Sequence, residues 1–320
     1  MSSSPSSLLP VNPSSNHEGN GQDQDHTQVV LVGADGQLGK TLAKLWPGSS
    51  LANFSTLICL DRSQLDITDT AQIDEKLKEL NPDIIINAAA YTQVDGAETD
   101  RAAAFAVNEQ GVRNLALWAR KSGSWIIHIS TDFVFDGAAS SPYQERQATA
   151  PLGVYGESKL AGERALQEIV PQRSLIIRTS WLYSEYGRNF LKIMLSLMAD
   201  REELGIVSDQ IGSPSSTHSL SNLIFAIISQ QPESGIFHWC DGAAISWFDF
   251  AEEIQKQALN VGLLSRQAKL RPIGTEEYPT PATRPAYSVL DRSKALAAFS
   301  PATQEWKQEL ALVLKELKPV

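Results

Sequence analysis

Cysteine is scarce: the 320 residues contain two, Cys59 and Cys240, each inside an apolar run. That excludes a disulfide framework, and buried reduced thiols are the expectation, as suits a cytoplasmic protein. Long apolar runs are missing as well. None approaches the ~18–20 residues of a membrane span, so no membrane partner is expected. Five histidines are scattered along the chain with no metal-ligand spacing, so no metal is expected either. Lysine and arginine are absent from the first 28 residues, where Glu18, Asp23 and Asp25 supply negative charge. That stretch is rich in Ser, Pro, Asn and Gly, and it has neither the basic start nor the apolar core of a secretory signal. Residues 1–27 therefore read as a disordered tail. Positive charge is short overall. A net charge of −10 argues against nucleic acid as a partner, and an anionic substrate would need locally placed cations.

What is present is an ordinary globular composition, 42% hydrophobic and 20% charged, with enough chain for a nucleotide-binding domain and a smaller companion. Residues 28–34 (QVVLVGA) form a β-branched run that ends in glycine. A turn follows, and from 38 to 46 Leu38, Leu42 and Leu45 recur at helical spacing. The glycines at 33, 36 and 39 fit G-x-x-G-x-x-G between strand and helix, a variant of the dinucleotide fingerprint. They let the backbone approach a pyrophosphate whose charge the helix N-terminus favours. The next strand, 56–60, ends in Asp61, placed where an acid can hold the adenine ribose 2′-hydroxyl. Arg62 follows at once and could pair with a 2′-phosphate instead, so NADH and NADPH both stay open. Asp66 and Ile67 are candidates for the adenine end.

The alternation continues through a helix at 69–80, a strand at 83–90 (DIIINAAA) whose continuous apolar run ends in small residues, a long helix at 97–121 and a strand at 125–130 (WIIHIS). His128 within that strand reads as a satisfied core histidine. A helix at 155–170 and a strand at 174–180 follow, and repeated β-α units imply a doubly wound parallel sheet. Beyond 180 the pattern loosens. Helices are expected at 189–201, 218–230, 246–262 and 306–318, a strand at 235–241, and a long ordered Pro-rich loop at 270–292. The division expected is a Rossmann domain over 28–180 and a mainly substrate-binding portion over 181–320, smaller, α/β and partly interleaved with the first.

The chemistry centres on 130–159. Thr131 ends an apolar strand, and Tyr155 and Lys159 lie four apart on one helix face. An ammonium beside a phenol favours the phenolate, so a lowered tyrosine pKa is expected, and a second hydroxyl can hold the substrate oxygen. That is apparatus for interconverting a carbonyl and an alcohol.

Taken together, these features resemble the extended short-chain dehydrogenase/reductases. In order and spacing, VGADGQLG, IIINAAAYTQVDGAE, STDFVFDG, PLGVYGESKLAGE, RTSWLY, SDQIGSP and YPTPATRP are similar to the dTDP-4-dehydrorhamnose reductase family from about Val29 onward. The resemblance implies a dTDP-keto-sugar substrate and reduction of its C4 carbonyl by NADPH or NADH, the last step of dTDP-L-rhamnose synthesis. By the same resemblance Tyr155 is the proton donor, Lys159 holds the nicotinamide ribose and Thr131 bonds the C4 oxygen. Asp132 and Trp181 contact the sugar, while Gly36, Gln37, Leu38, Asp61, Asp66, Ile67, Ala90, Tyr91 and Thr92 line the cofactor. Arg284 in the Pro-rich loop is a candidate for the diphosphate. Dehydratases of the superfamily carry glutamate after the Thr-Asp pair, where this chain has Phe133. Some family members place an acid just after the glycine turn, part of a metal-bridged dimer. Lys40 and Thr41 stand there here, so a monomer or homodimer is expected without that metal. Two alternatives share the fold: an NADP-binding regulatory subunit like that of methionine adenosyltransferase, and a reductase of another nucleotide-4-keto-sugar.

Overall fold

The computed structural model describes residues 26–230, 233–303 and 305–317. The expected tail lies outside these residues except at its end, where Thr27 already pairs with Ser55 as the first residue of a strand. That strand, β1 (Thr27–Val32), leads to α1 (Gln37–Leu45), β2 (Ser55–Leu60), α2 (Thr70–Leu80) and β3 (Ile84–Asn87). Helices α3 (Val94–Thr99), α4 (Arg101–Phe105) and α5 (Val112–Ser122) precede β4 (Trp125–Thr131), α6 (Val154–Ile169) and β5 (Ser174–Thr179). These strands and β10 (Gly235–Trp239) make a six-stranded sheet in the order β10-β5-β4-β3-β1-β2, parallel throughout. Both faces are covered, as the unbroken apolar strands require. Along β1, Val29 and Leu31 enter one core with α1 residues Leu38 and Leu42, while Val30 and Val32 enter the other with Leu77 of α2 and Leu115 of α5. The strand order reverses between β1 and β3, which opens a crevice at their C-terminal ends.

The remaining elements are β6 (Leu182–Tyr183), α7 (Phe190–Asp200), β7 (Glu203–Val207), β8 (Ile211–Gly212), β9 (Ser215–Ser216), α8 (Thr217–Ser229), β11 (Ile245–Ser246), α9 (Trp247–Asn260), β12 (Lys269–Ile273), α10 (Ser293–Phe299) and α11 (Trp306–Glu316). Helices α7, α9 and α11 pack around a third core containing Leu195, Phe250, Ile254 and Leu310. Helix α8 instead belongs to the sheet. Its Leu220, Leu223 and Ile227 pack with Leu38 and Leu42, and Thr217 Oγ1 bonds Thr41 Oγ1 at 2.7 Å.

Three expectations change. The helix anticipated over 97–121 is broken at Asp100, whose carboxylate accepts from Ala103 N, and is widened into a π-helical turn over Ala106–Gly111. The cause is Asn108: its amide accepts from Tyr91 N and donates to Tyr91 O and Ser158 Oγ, and helical periodicity does not report such a contact. The Pro-rich segment starts as a strand, since β12 pairs in parallel with β7. Cys59 is only half-buried, while Cys240 is buried; both are unpaired.

Candidate active site

The glycine turn after β1 and the small residues after β3 form two walls of the switch-point crevice. Gly33 has φ +82°, and a Cβ there would stand 2.6 Å from Ala89 N, so turn and strand end approach as only glycine permits. Gly36 begins α1 in an extended conformation, and no side chain caps the helix, so its first amides remain available to an anion. The cleft that results has a volume of about 1150 Å³. Gly33, Gly36, Gln37, Leu38, Arg62, Asp66, Ile67, Ala90, Tyr91, Thr92, Thr131, Asp132, Tyr155, Lys159, Trp181 and Arg284 all line it. Asp61 does not. Its carboxylate accepts from Ser63 N, Ser63 Oγ and Gln64 N, and these bonds hold its pKa below the usual range while fixing its own turn. Arg62 is exposed beside it, with Nε 3.2 Å from Asp66.

At the floor, β4 delivers Thr131 and α6 delivers Tyr155 and, one turn on, Lys159. The expected lowering of the tyrosine pKa does not occur. Desolvation pushes the phenol up to about 12; hydrogen bonding with Thr131 opposes this and the nearby Asp132 carboxylate adds to it. Lys159 is buried at 2% exposure and donates from Nζ to Ile129 O at 2.5 Å. Burial lowers its pKa to about 8, with Glu163 opposing. A phenol near 12 is fully protonated at neutral pH, which is the state a proton donor needs. Asp132 is also buried. Its pKa rises to about 6 through desolvation, opposed by bonds with Ser288 and Thr131, and Oδ2 has no partner among the described residues.

Behind the floor lies a buried ion pair. Arg178 forks onto Glu163 at 2.6 Å, and Ser130 Oγ donates to the same carboxylate. His128 is buried as anticipated, but only Nδ1 is bonded, by Asn87 Nδ2 at 3.1 Å; Nε2 has no partner among the described residues. Desolvation, aided by the charge of Lys159, holds it neutral.

The cleft adjoins a second cavity of about 630 Å³ lined by α7, β7 and the loop that carries Tyr278, Thr280 and Pro285. Phe133, Trp181, Arg188, Trp247 and Arg284 border both spaces. Trp181 takes φ +46°, a strained value for tryptophan, and its ring stacks on Trp247 with centroids 3.5 Å apart. Gly212 also lies against that ring, where a Cβ would stand 2.5 Å from its Cε2 and Cζ2. Arg284 reaches the junction with its guanidinium forked onto Asp95 at 2.6 and 2.9 Å, so its charge is already compensated. Asn108, Arg188 and Trp247 were not singled out from the sequence. A polar residue inside an apolar helical run was the signal for Asn108; the other two carry none, because the chain folds them in from afar. Among the described residues no three His, Cys, Asp or Glu side chains are grouped to hold a metal, and no helix is long and apolar enough to cross a membrane.

A doubly wound sheet, a glycine turn at its switch point and a Thr-Tyr-Lys set on the floor define a nicotinamide-dependent oxidoreductase of the short-chain dehydrogenase/reductase kind. The family model described as the RmlD substrate binding domain matches residues 27–318. The dTDP-4-dehydrorhamnose reductase of Aggregatibacter actinomycetemcomitans is 40% identical over 88% of this chain and 97% of its own. That of Escherichia coli K12 is 37% identical over 90% and 97%. A crystal structure of dTDP-4-dehydrorhamnose reductase from Bacillus anthracis in complex with NADP superposes with TM-score 0.83 at 36% identity, covering 91% of this chain and 99% of that one. The chain belongs to the RmlD family, that of the dTDP-4-dehydrorhamnose reductases.

Proposed function

We propose that the protein reduces the C4 carbonyl of dTDP-4-dehydro-L-rhamnose to give dTDP-L-rhamnose, with Tyr155 as the proton donor. The observation that carries this reading is the buried Thr131–Tyr155–Lys159 set on the floor of a dinucleotide-sized cleft that opens onto a second cavity. The cleft residues suit a nicotinamide dinucleotide: the close glycine turn and uncapped α1 would take the pyrophosphate, Ala90–Thr92 the middle and Lys159 the nicotinamide ribose. The reduced nicotinamide supplies the hydride. Tyr155 Oη gives its proton to the C4 oxygen, and the Thr131 hydroxyl steadies the negative charge that develops there. Lys159, fixed by Ile129 O, lends positive charge to the same floor. Asp132 and Trp181 flank the sugar.

With Asp61 bound up in its own turn and Arg62 on the wall, the adenine end favours a 2′-phosphate, hence NADPH over NADH. The second cavity would hold the nucleoside. The division of labour follows, with 28–180 mainly serving the cofactor and 181–320 mainly the substrate, although α8 and β10 return to the first part. A cytoplasmic monomer or homodimer accompanies this reading.

The test follows absorbance of the reduced nicotinamide, with dTDP-4-keto-6-deoxyglucose and the 3,5-epimerase that converts it to the substrate. Consumption yielding dTDP-rhamnose, lost in Tyr155→Phe, is expected. Cofactor binding without consumption would refute the reading and turn attention to a binding-only subunit.

A further inference from the structure

A nucleoside diphosphate sugar with its sugar over Tyr155 and its base in the second cavity must lay its two phosphates across the junction between the spaces. Of the five residues that border both, Phe133, Trp181 and Trp247 are aromatic, and Arg284 is neutralised by Asp95. That leaves Arg188. It is exposed, and no acidic side chain of the described residues pairs with it. In a chain of net charge −10, an uncompensated guanidinium at this point is the local cation that a dianion needs.

Its root is held firmly. Ser184 Oγ and Asn189 Nδ2 both donate to Gln37 Oε1, at 3.0 and 2.8 Å, so the segment carrying Arg188 is tied to the glycine turn. Asn189 also bonds Ser184 O and caps α7 by accepting from Lys192 N. Gly187 takes φ +61°, and a Cβ there would stand 3.2 Å from Gln37 Cγ, so the turn lies close against that side chain. The long side chain is therefore free while its backbone is fixed, which limits the entropy lost when an anion binds.

We propose that Arg188 is the principal anchor of the substrate diphosphate, with Arg284 acting chiefly as the strap that holds the Pro-rich loop onto Asp95. This rests on the nucleotide-sugar reading above. The experiment is calorimetric titration of the wild-type protein, Arg188→Ala and Arg188→Lys with dTDP and, separately, with NADPH, at two salt concentrations. Arg188→Ala is expected to weaken dTDP binding about 10- to 100-fold, to flatten its salt dependence and to leave NADPH affinity within about twofold. Arg188→Lys should recover part of the loss, because an ammonium keeps the charge without the fork. Unchanged dTDP affinity in Arg188→Ala would overturn the proposal. So would an equal loss for NADPH, which would assign the residue to the cofactor. A wild-type protein that binds NADPH but not dTDP would overturn the nucleotide-sugar reading itself, a result distinct from either.

Discussion

Replacing Gly212 by alanine adds one methyl group against the Trp181 ring, which borders both cavities. The backbone there is not left-handed, so the residue itself tolerates a side chain; the contact decides. A Cβ would stand 2.5 Å from the Trp181 ring, where carbon atoms prefer about 3.5–4.0 Å, so ring or strand must yield by roughly 1 Å. The ring has little freedom to shift, because Trp247 stacks on it with centroids 3.5 Å apart and is braced in turn by Phe190 at 4.5 Å. Nor is β8 free, since Gly212 pairs with Ile245. Overpacking of this kind costs about 1–3 kcal/mol, more than the ~0.4–1 kcal/mol that Gly→Ala recovers from the unfolded chain. The effect on turnover should be larger. If Trp181 positions the reacting sugar as proposed, a displacement near 1 Å at that wall costs about 100-fold in kcat/KM. NADPH affinity, set at the other end of the cleft, should stay within about twofold. Steady-state kinetics with the sugar substrate, calorimetry with NADPH, and the near-ultraviolet dichroism of the stacked indoles measure all three. A variant with wild-type kcat/KM would show that Trp181 does not position the sugar.

Tyr155→Phe should lower kcat by about 10²–10⁴-fold while preserving NADPH binding measured by fluorescence, and a loss under threefold would exclude the phenol as donor. Arg178→Met strands the buried Glu163 carboxylate and should cost about 3–5 kcal/mol in urea unfolding; a cost below about 1 kcal/mol would mean that the pair contributes little. Asp241 is buried, and desolvation raises its pKa from 3.8 to about 8. The stability it contributes is complete below pH 3.8 and is lost as pH climbs through 8. Asp241→Asn should therefore gain on the wild type between pH 5 and pH 9 in denaturant titrations, and a gap independent of pH would refute that assignment.

Much of this protein is legible along the chain. Alternating apolar runs and helical spacing report local geometry, and they located every strand of the large sheet because parallel strands buried on both faces are predominantly apolar. The glycine turn, Thr131, Tyr155 and Lys159 were visible because their chemistry depends on short spacings. The break in the helix before α5 was not, since Asn108 answers to Tyr91 and Ser158 rather than to its neighbours. Asp61 looked like a ribose ligand by position, yet its carboxylate closes its own turn. The state of Tyr155 also ran against the local argument. Lys159 lies one turn away as expected and is held by Ile129 O, but desolvation together with the neighbouring Asp132 raises the phenol. Thus the class of fold, the family and the side chains proposed to react are written in runs and spacings along the chain. Protonation, the engagement of Asp95 by Arg284, and the meeting of Arg188, Trp181 and Trp247 between two cavities come from tertiary contacts. Burial and pairing depend on residues far apart in the chain, and no short-range pattern encodes them.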